Sequence, residues 1–312
     1  MKGFSGPPDA QGSSAPSGRP ARAGGSVEPA HETLADPRSP TALGHPRLHL
    51  RLTDSTNDRA RALAIAGAPH GTLVTASAQT AGRGRQGRRW SAPAHSSLLM
   101  SLLLRSPSPL LPLIAAVAIC DVAGDAAMIK WPNDIVLVRT PPRTGAEPDA
   151  PIEPPGAEGE RITEGPAVDE PVADTSTFAK LAGILTEGRP QQGWAVLGIG
   201  LNVAVRLDEL PPELRSTAAT LGESPDAIEP ILARLLSALE RRLASPVSVV
   251  LDAWRARDAL HGRTIAWNAH GPEDRRGHGQ ADGIDGAGRL IVALPGGGRT
   301  TLEAGEVHLT LD

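Results

Sequence analysis

Residues 82–90 of the chain read GRGRQGRRW, so four arginines stand among three glycines within nine positions. Glycine lets the backbone approach a ligand closely and adopt positive φ. Arginine supplies a planar, permanently charged donor group that suits phosphate or carboxylate. The segment has too many glycines for a stable helix or strand and therefore predicts a loop. Because it does not repeat and lies between two strand-like segments, it favours an anion-binding enzyme loop over an RNA-binding Arg-Gly tract.

The sequence on both sides of this segment predicts a domain of mixed α and β structure. Residues 48–52 alternate like a strand, and DSTN at 54–57 is rich in helix N-cap residues before a predicted helix at 59–66. Pro132 lies inside a predicted strand at 128–138 and indicates a bulge or a sheet edge there. The remaining predicted elements are strands at 71–78, 97–104, 180–187 and 194–205, and helices at 112–123 and 228–243.

Composition divides the chain into segments. Residues 1–45 are rich in Gly, Pro and Ser, and 140–177 hold nine acidic residues against two arginines, with almost no large apolar side chains. Neither stretch can bury enough surface to offset chain entropy, so a disordered tail and a disordered acidic insertion are predicted. A catalytic domain is predicted over 46–255. Five short β-like pieces separated by glycine-rich turns within 260–312 predict a small barrel.

Several classes of protein are disfavoured by composition. The net charge of −4 gives no whole-chain attraction to nucleic acid. The single cysteine, Cys120, can build neither an internal disulfide nor a thiolate metal site. No apolar run reaches the roughly 18 residues that a membrane span needs, and neither a signal peptide nor a helix-turn-helix pattern precedes the first folded segment. We therefore expect a cytoplasmic protein that binds neither DNA nor membranes.

Three further segments place polar groups among apolar residues. KWPND at 130–134 has common turn chemistry, but its apolar neighbours make an embedded lysine and aspartate costly unless they are paired or used. KLAGIL at 180–185 opens with a lysine that is either a solvated strand end or a fixed cation for a substrate carboxylate. GIGLN at 198–202 has two glycines in a strand, which predicts close approach of another backbone or a ligand. The sequence contains no P-loop, dinucleotide-binding or nucleophile-elbow motif.

In their order along the chain, these segments resemble the biotin–protein ligases. The resemblance covers roughly 46–140 and 178–312. It implies an α+β fold, a mixed sheet with flanking helices like that of class II synthetases, followed by a small C-terminal SH3-like β-barrel. The segments that carry the resemblance are DSTN at 54–57, QTAGRGRQGRRW at 79–90, KWPND at 130–134, KLAGI at 180–184, GIGLN at 198–202, GQADGID at 279–285 and GEV at 305–307.

The resemblance implies a two-step reaction. The carboxylate of biotin attacks the α-phosphate of MgATP and yields biotinyl-5′-adenylate and pyrophosphate. A lysine on the biotin carboxyl carrier domain of a biotin-dependent carboxylase then attacks this mixed anhydride, and AMP leaves. Biotin and ATP are thus expected as substrates, with Mg²⁺. The family includes monomers and homodimers, and both states stay open; the missing helix-turn-helix pattern predicts no repressor activity.

The resemblance also assigns roles to individual residues. Lys180 and Arg85 are the predicted catalytic residues, because fixed positive charge is the main requirement when two anions meet. The predicted biotin-binding residues are Ser55, Thr56, Gln79, Gly82, Arg83, Lys180, Gly183 and Gly198. The predicted ATP- and adenylate-binding residues are Arg85, Arg88, Trp90, Lys130, Asn133, Asp134 and Asn202, and no metal ligand is assigned.

Two other functions compete with this interpretation. A lipoate–protein ligase of the same superfamily shares the lysine and the adenylation chemistry, but the arginine-rich segment with Trp90 and the KWPND segment favour biotin. An RNA-binding protein is disfavoured by the acidic net charge and the lack of interleaved aromatic residues. Relatives often have a short turn where this chain has 140–177, and such an insertion costs little because closure entropy grows slowly with loop length.

Overall fold

A seven-stranded mixed sheet is the central element of the computed structural model, which describes residues 43–139, 177–189, 192–269, 276–303 and 307–311. The strand order is β1-β2-β3-β7-β6-β5-β4. β1 and β2 are parallel and the other neighbours are antiparallel. The predicted mixed sheet is therefore confirmed. Its strands are β1 (Arg47–Leu50), β2 (Leu73–Ala76), β3 (Ser97–Arg105), β4 (Ala127–Lys130), β5 (Asp134–Arg139), β6 (Thr177–Arg189) and β7 (Trp194–Asn202).

Helices cover both faces of this sheet. They are α1 (Thr56–Ile65), α2 (Leu111–Ala123), α3 (Pro212–Arg215), α4 (Ile228–Ala244) and α5 (Val247–Arg255). Leu103 of β3 belongs to a buried cluster with α1, whereas Leu102 and Leu104 belong to the cluster that contains α2 and α4. Because side chains alternate along a strand, α1 lies on one face and α2 with α4 on the other. Burial on both faces explains why β3 is an almost continuous apolar run.

The N-cap residue of the first helix determines where that helix begins. Ser55 has an extended backbone, and its Oγ accepts a hydrogen bond from the Asp58 N–H at 3.5 Å. This satisfies one of the donors that the first turn leaves unpaired. α1 therefore begins at Thr56, three residues earlier than predicted, and the side chains of the DSTN segment are fixed at the helix N-terminus.

Three predicted boundaries are corrected by the structure. The predicted strand at 128–138 is two antiparallel strands, β4 and β5, joined by a turn with a cis Trp131–Pro132 bond; Pro132 has no N–H and cannot continue a strand ladder. The predicted tail ends before residue 45, because Leu43 is 2 % exposed and its N–H donates to Glu240 Oε1 at 2.9 Å. Thr177 already belongs to β6 rather than to the insertion. The rest of the predicted tail and insertion, 1–42 and 140–176, lies outside the described residues.

The C-terminal region forms a separate antiparallel sheet with the order β11-β10-β9-β8-β12. Its five strands match the five that the sequence predicts, but the described pairings show a sheet and not a closed barrel. Its buried residues Ile265, Ile284 and Leu290 belong to the same hydrophobic cluster as α2, and Trp131 Nε1 donates to the carbonyl of Gly288 at 3.1 Å. The strands are β8 (Thr264–Ala269), β9 (Arg276–Ile284), β10 (Leu290–Ala293), β11 (Arg299–Leu302) and β12 (Val307–Leu311).

Candidate functional site

A pocket lies against β3, β6 and β7 and is bounded by the segment 82–90, which we call the arginine loop, and by the β4–β5 turn. Most of the side chains that the sequence singles out line this pocket, although they come from five separate parts of the chain. The predicted site residues that line it are Ser55, Thr56, Gln79, Arg83, Arg85, Arg88, Trp90, Lys130, Asn133, Asp134, Lys180, Gly183 and Gly198.

Neutral polar side chains, those of Ser55, Thr56, Asn57 and Gln79, form one part of the lining. Together with Ser101, which is hydrogen-bonded to Thr56 and Asn57, we call them the polar floor. Gln79 Oε1 accepts hydrogen bonds from the N–H of Thr56 at 2.7 Å and from its Oγ1 at 3.2 Å. Ser101 Oγ lies 2.6 Å from Asn57 Oδ1 and 2.9 Å from Thr56 Oγ1. These internal hydrogen bonds satisfy buried polar groups and hold them in fixed orientations.

The arginine loop is more regular than the sequence predicts. The N–H of Gly84 donates to the carbonyl of Arg88 at 2.7 Å, and that of Trp90 donates to the carbonyl of Gly82 at 3.0 Å. Gln86 at its tip has a φ of 54°. The loop is thus a short hairpin. Glycine is needed at position 82, because a Cβ atom there would lie 2.5 Å from the carbonyl oxygen of Trp90.

Trp90 lies across glycines of the two central strands. A Cβ atom at Gly200 would lie 2.5 Å from Trp90 Cε2, and one at Gly183 would lie 3.1 Å from Trp90 Cζ3. A Cβ atom at Gly198 would lie 2.1 Å from Asn57 Oδ1. The close approach predicted for the glycine-containing strand is therefore present, but it is made by two side chains of the protein itself.

Four positive side chains, Arg85, Arg88, Lys130 and Lys180, line the pocket together with Asp134, and we call them the cation cluster. Lys180 Nζ lies 2.7 Å from Asp134 Oδ1 and 5.8 Å from the ring centre of Trp90. Arg85 Nη1 donates to Asn133 Oδ1 at 3.1 Å. Asp134 is the one carboxylate among the described residues that line the pocket. The site therefore carries an excess of positive charge that suits an anionic ligand.

Burial disfavours the charged forms of two members of the cation cluster, Lys130 and Arg85. Desolvation lowers the pKa of Lys130 below its ordinary value, partly offset by Asp134, and the charges of Lys180 and Arg88 lower it further. Desolvation also lowers the pKa of Arg85. Lys130 Nζ is 5.4 Å from the ring centre of Phe178, which compensates part of the cost. A bound anion would relieve the remaining repulsion.

A β-bulge in β6 orients Lys180 toward the pocket. Ile135 pairs with Ala182 and Val136 with Lys180, so Leu181 is an extra residue on the bulged strand. In a regular strand Lys180 and Gly183, three positions apart, would face opposite sides. With the bulge they share one side, and a Cβ atom at Gly183 would lie 3.2 Å from Lys180 Cε.

Two predicted site residues do not line the pocket. Gly82 lies at the base of the arginine loop. Asn202 has another use: its Nδ2 donates to the carbonyl of Ala219 at 2.9 Å, and its Oδ1 lies 3.2 Å from Ser97 Oγ. The structure therefore does not support the predicted ligand contact of Asn202. The sequence did not distinguish an amide that closes a loop from an amide that meets a ligand.

Four residues of the site were missed by sequence analysis. Asn57 and Gly200 stand inside quoted segments, so the signal was present but was assigned to their neighbours. Ser101 and Glu187 gave no signal, because one lies in an apolar strand and the other at a strand end where a solvated carboxylate is common. Ser101 and Glu187 contribute to the site through contacts with residues that are distant in the sequence.

The described residues provide neither a candidate metal site nor a candidate membrane-spanning helix. Within the described ranges, no group of three or more His, Cys, Asp or Glu side chains could hold a metal ion. No helix in the same part of the chain is long and apolar enough to cross a membrane.

Comparison with known proteins finds a matching family model, related sequences and a solved structure with the same fold. Residues 49–203 match the model of the Biotin/lipoate A/B protein ligase family. The chain is 32 % identical to the biotin–[acetyl-CoA-carboxylase] ligase of Mycobacterium tuberculosis, over 82 % of this chain and 86 % of that one. It is 30 % identical to the enzyme of the same name from Paracoccus denitrificans, over 83 % and 98 %. The biotin protein ligase of Aquifex aeolicus in complex with biotin and ATP shares the fold with a TM-score of 0.62 at 21 % identity, over 85 % of this chain and 99 % of that one.

Proposed function

This chain belongs to the Biotin/lipoate A/B protein ligase family, and we infer that it catalyses the ATP-dependent biotinylation of a protein lysine through biotinyl-5′-AMP. The two relatives at 30 % and 32 % identity, matched over 98 % and 86 % of their length, carry the name of biotin–[acetyl-CoA-carboxylase] ligase, which favours biotin over lipoate. The observation that carries the proposed site is the cation cluster beside a neutral, internally hydrogen-bonded polar floor. Such a pocket suits a molecule with a neutral polar ring at one end and an anion at the other.

The polar floor fits the uncharged ureido ring of biotin. Gln79 uses its Oε1 for two hydrogen bonds from Thr56, so its Nε2 group is left to donate elsewhere. A Cβ atom at Gly82 would lie 3.0 Å from that Nε2, which places the amide at the base of the arginine loop. We assign ring recognition to Ser55, Thr56 and Gln79 and to the backbone near Gly82 and Arg83, with Gly183 and Gly198 beside the biotin chain.

The cation cluster fits the reacting anions. In the first step a biotin carboxylate oxygen bonds to the α-phosphorus of ATP while the bond from that phosphorus to the pyrophosphate oxygen breaks. Lys180 neutralises the carboxylate and the oxygens around phosphorus, and Arg85 is placed by Asn133 to share this charge. Lys130 and Arg88 line the same pocket, and we assign them to the phosphates. Mg²⁺ binds chiefly through substrate phosphates and one or two carboxylates, and Asp134 is the available carboxylate in the pocket.

Trp90 fits the role of a cover for the intermediate. Its ring lies over Gly183 and Gly200, beside Lys180. Its Nε1–H is buried and has no acceptor among the described residues, so an oxygen of the adenylate would satisfy it. Exclusion of water by this loop limits hydrolysis of the mixed anhydride. In the second step the amine of the acceptor lysine attacks the biotinyl carbonyl carbon, and AMP leaves with the phosphate oxygen.

The expected acceptor is a lysine on the biotin carboxyl carrier domain of a carboxylase; the names of the two relatives print acetyl-CoA carboxylase. The five-stranded C-terminal sheet is proposed to be the small SH3-like domain of the family. A cytoplasmic location, the absence of DNA binding, and monomer or homodimer as the oligomeric state stay predictions.

The function is tested with ATP labelled at the α-phosphate. The protein is incubated with labelled ATP and Mg²⁺, with either biotin or lipoate, and the labelled acyl-adenylate is separated. We expect an adenylate with biotin and little with lipoate, and transfer of biotin to an added biotin carboxyl carrier domain. An adenylate formed with lipoate and not with biotin would reverse the substrate assignment.

A further inference from the structure

Four charged side chains meet at the base of the arginine loop. Arg83 donates to Asp58 Oδ1 at 2.7 Å and lies 3.0 Å from Glu187 Oε1. Arg61 lies 3.4 Å from Asp58 Oδ1 and 3.8 Å from Glu187 Oε1. Two cations and two carboxylates thus join the loop to α1 and to β6. Arg83 is directed toward these carboxylates, so it serves as an anchor for the loop.

Glu187 is the most enclosed member of this group, with 20 % of its side chain exposed. Its second oxygen, Oε2, accepts a hydrogen bond from Asn57 Nδ2 at 2.9 Å. Asn57 is 4 % exposed and is fixed at its other end by Ser101. The Asn57 amide has one alternative acceptor, the carbonyl of Leu185, at 3.4 Å. One carboxylate therefore contacts both the polar floor and the arginine loop.

We propose that Glu187 is a positioning residue that fixes the arginine loop and the polar floor relative to each other. Its Oε1 holds Arg83, and its Oε2 holds Asn57 in the orientation in which the Asn57 amide packs against Gly198. Because Asn57 already packs against Gly198, a change in its orientation would alter the shape of the polar floor at that point. The consequence for ligand binding rests on the proposed function, since it places biotin on the polar floor and the adenylate beneath the loop.

Two substitutions separate the two contacts. In Glu187→Gln the amide oxygen still accepts from Asn57, but the charge that pairs with Arg83 and Arg61 is lost. In Glu187→Ala both contacts are lost. Glu229→Gln is the matched control, because Glu229 forms a comparable ion pair with Arg47 at 2.7 Å and is not among the residues that line the pocket.

The first measurement needs no ligand. Trypsin is added to the folded protein, and the rate of cleavage after the loop arginines is followed by mass spectrometry. Both Glu187 variants are expected to be cut in the loop up to about fivefold faster than wild type, the range for a partly exposed ion pair. Glu229→Gln should be cut in the loop at the wild-type rate. Equal loop cleavage in all four proteins would overturn the proposal.

The second measurement separates positioning from general damage to the fold. Glu187→Gln should bind biotin with nearly the wild-type Kd but release biotinyl-adenylate up to about fivefold faster. Glu187→Ala should in addition bind biotin about tenfold more weakly, because a buried amide loses a charged acceptor. A wild-type biotin Kd in Glu187→Ala would overturn the link to the polar floor. Failure of the wild type to form any biotinyl-adenylate would instead count against the proposed function, and the trypsin result would still decide the anchoring role.

Discussion

The polar floor and the cation cluster line the same pocket, but they are built in opposite ways. The floor is neutral and mostly buried, and it is held by hydrogen bonds among its own members and to Glu187, with Ser101 0 % exposed. The cluster is charged and half-exposed, and it combines four cations with a single carboxylate. The floor keeps its polar groups oriented without a ligand, and the cluster lowers its free energy when an anion binds. Under the proposed function, we expect one part of the pocket to select the substrate and the other to perform the chemistry.

The largest expected effect is on the reaction step, in Lys180→Ala. Loss of one fixed charge near the transition state typically costs about 10²–10³ in rate. The side chain of Lys180 is 39 % exposed, so the folded protein should lose little stability. Single-turnover formation of biotinyl-adenylate measures the rate, and biotin binding is measured separately by calorimetry. Arg242→Ala, which removes a cation from the remote pair with Asp121, is the control. A wild-type adenylation rate in Lys180→Ala would contradict the division of the pocket.

The second effect should fall on the binding of biotin and not on the binding of ATP. Gly198→Ala brings a methyl group against Asn57, where a Cβ atom would lie 2.1 Å from Oδ1. Overpacking of this kind costs about 1–3 kcal/mol of folding free energy, and Asn57 must move within the polar floor to relieve it, so the KM for biotin should rise by about tenfold or more. The KM for ATP should change much less. Gly286→Ala is the matched control, because no atom lies within 4 Å of its Cβ position. Parallel rises in both KM values would show that floor and cluster are not separate.

Lys130→Met tests whether the cation cluster lowers the free energy of unfolding of the protein. Burial lowers the pKa of Lys130 below 10.5, so the native state binds this proton less tightly than the unfolded chain does. Wild-type stability should therefore rise as the pH increases from the folded pKa toward 10.5. The variant should lack this rise, keep or increase its Tm at neutral pH, and show a KM for ATP raised by about tenfold or less. Thermal unfolding across alkaline pH measures the first effect. A large loss of Tm at neutral pH would mean that Lys130 is structural.

The smallest effect should come from salt. Raising the ionic strength from about 0.05 M to about 0.5 M shortens the screening length to a few ångströms. The KM for ATP should rise a few-fold, because the cluster is half-exposed. The KM for biotin should rise less, since the hydrogen bonds of the floor are buried and neutral. Initial rates at constant pH, with the added salt varied, give both values. An equal dependence of the two KM values would argue against a neutral floor.

Local sequence patterns predicted most of the secondary structure. Apolar residues at helical spacing predicted the helix that the structure shows as α4. Five of the apolar side chains at that spacing are buried, as expected. The hairpin of β6 and β7 follows from two apolar runs around a turn. The division of 128–138 into β4 and β5 was missed, because a proline in an apolar run fits a bulge, an edge or a tight turn equally well. The barrel stays a prediction, because the strand pattern does not fix whether the ends of a sheet meet.

The sequence by itself determined which chemical groups the site contains. Glycines and arginines in 82–90, the lysine before the apolar part of β6, and the polar residues before α1 were all identified from residue type and spacing, since turn chemistry and side-chain period are local properties. Tertiary structure decided which of these groups meet. The bulge at Leu181 places Lys180 on the same side as Gly183, and Glu187 joins Asn57 to Arg83 across 130 residues of sequence. Such contacts depend on strand register between distant segments, and a shift of one residue would reverse the face of every side chain.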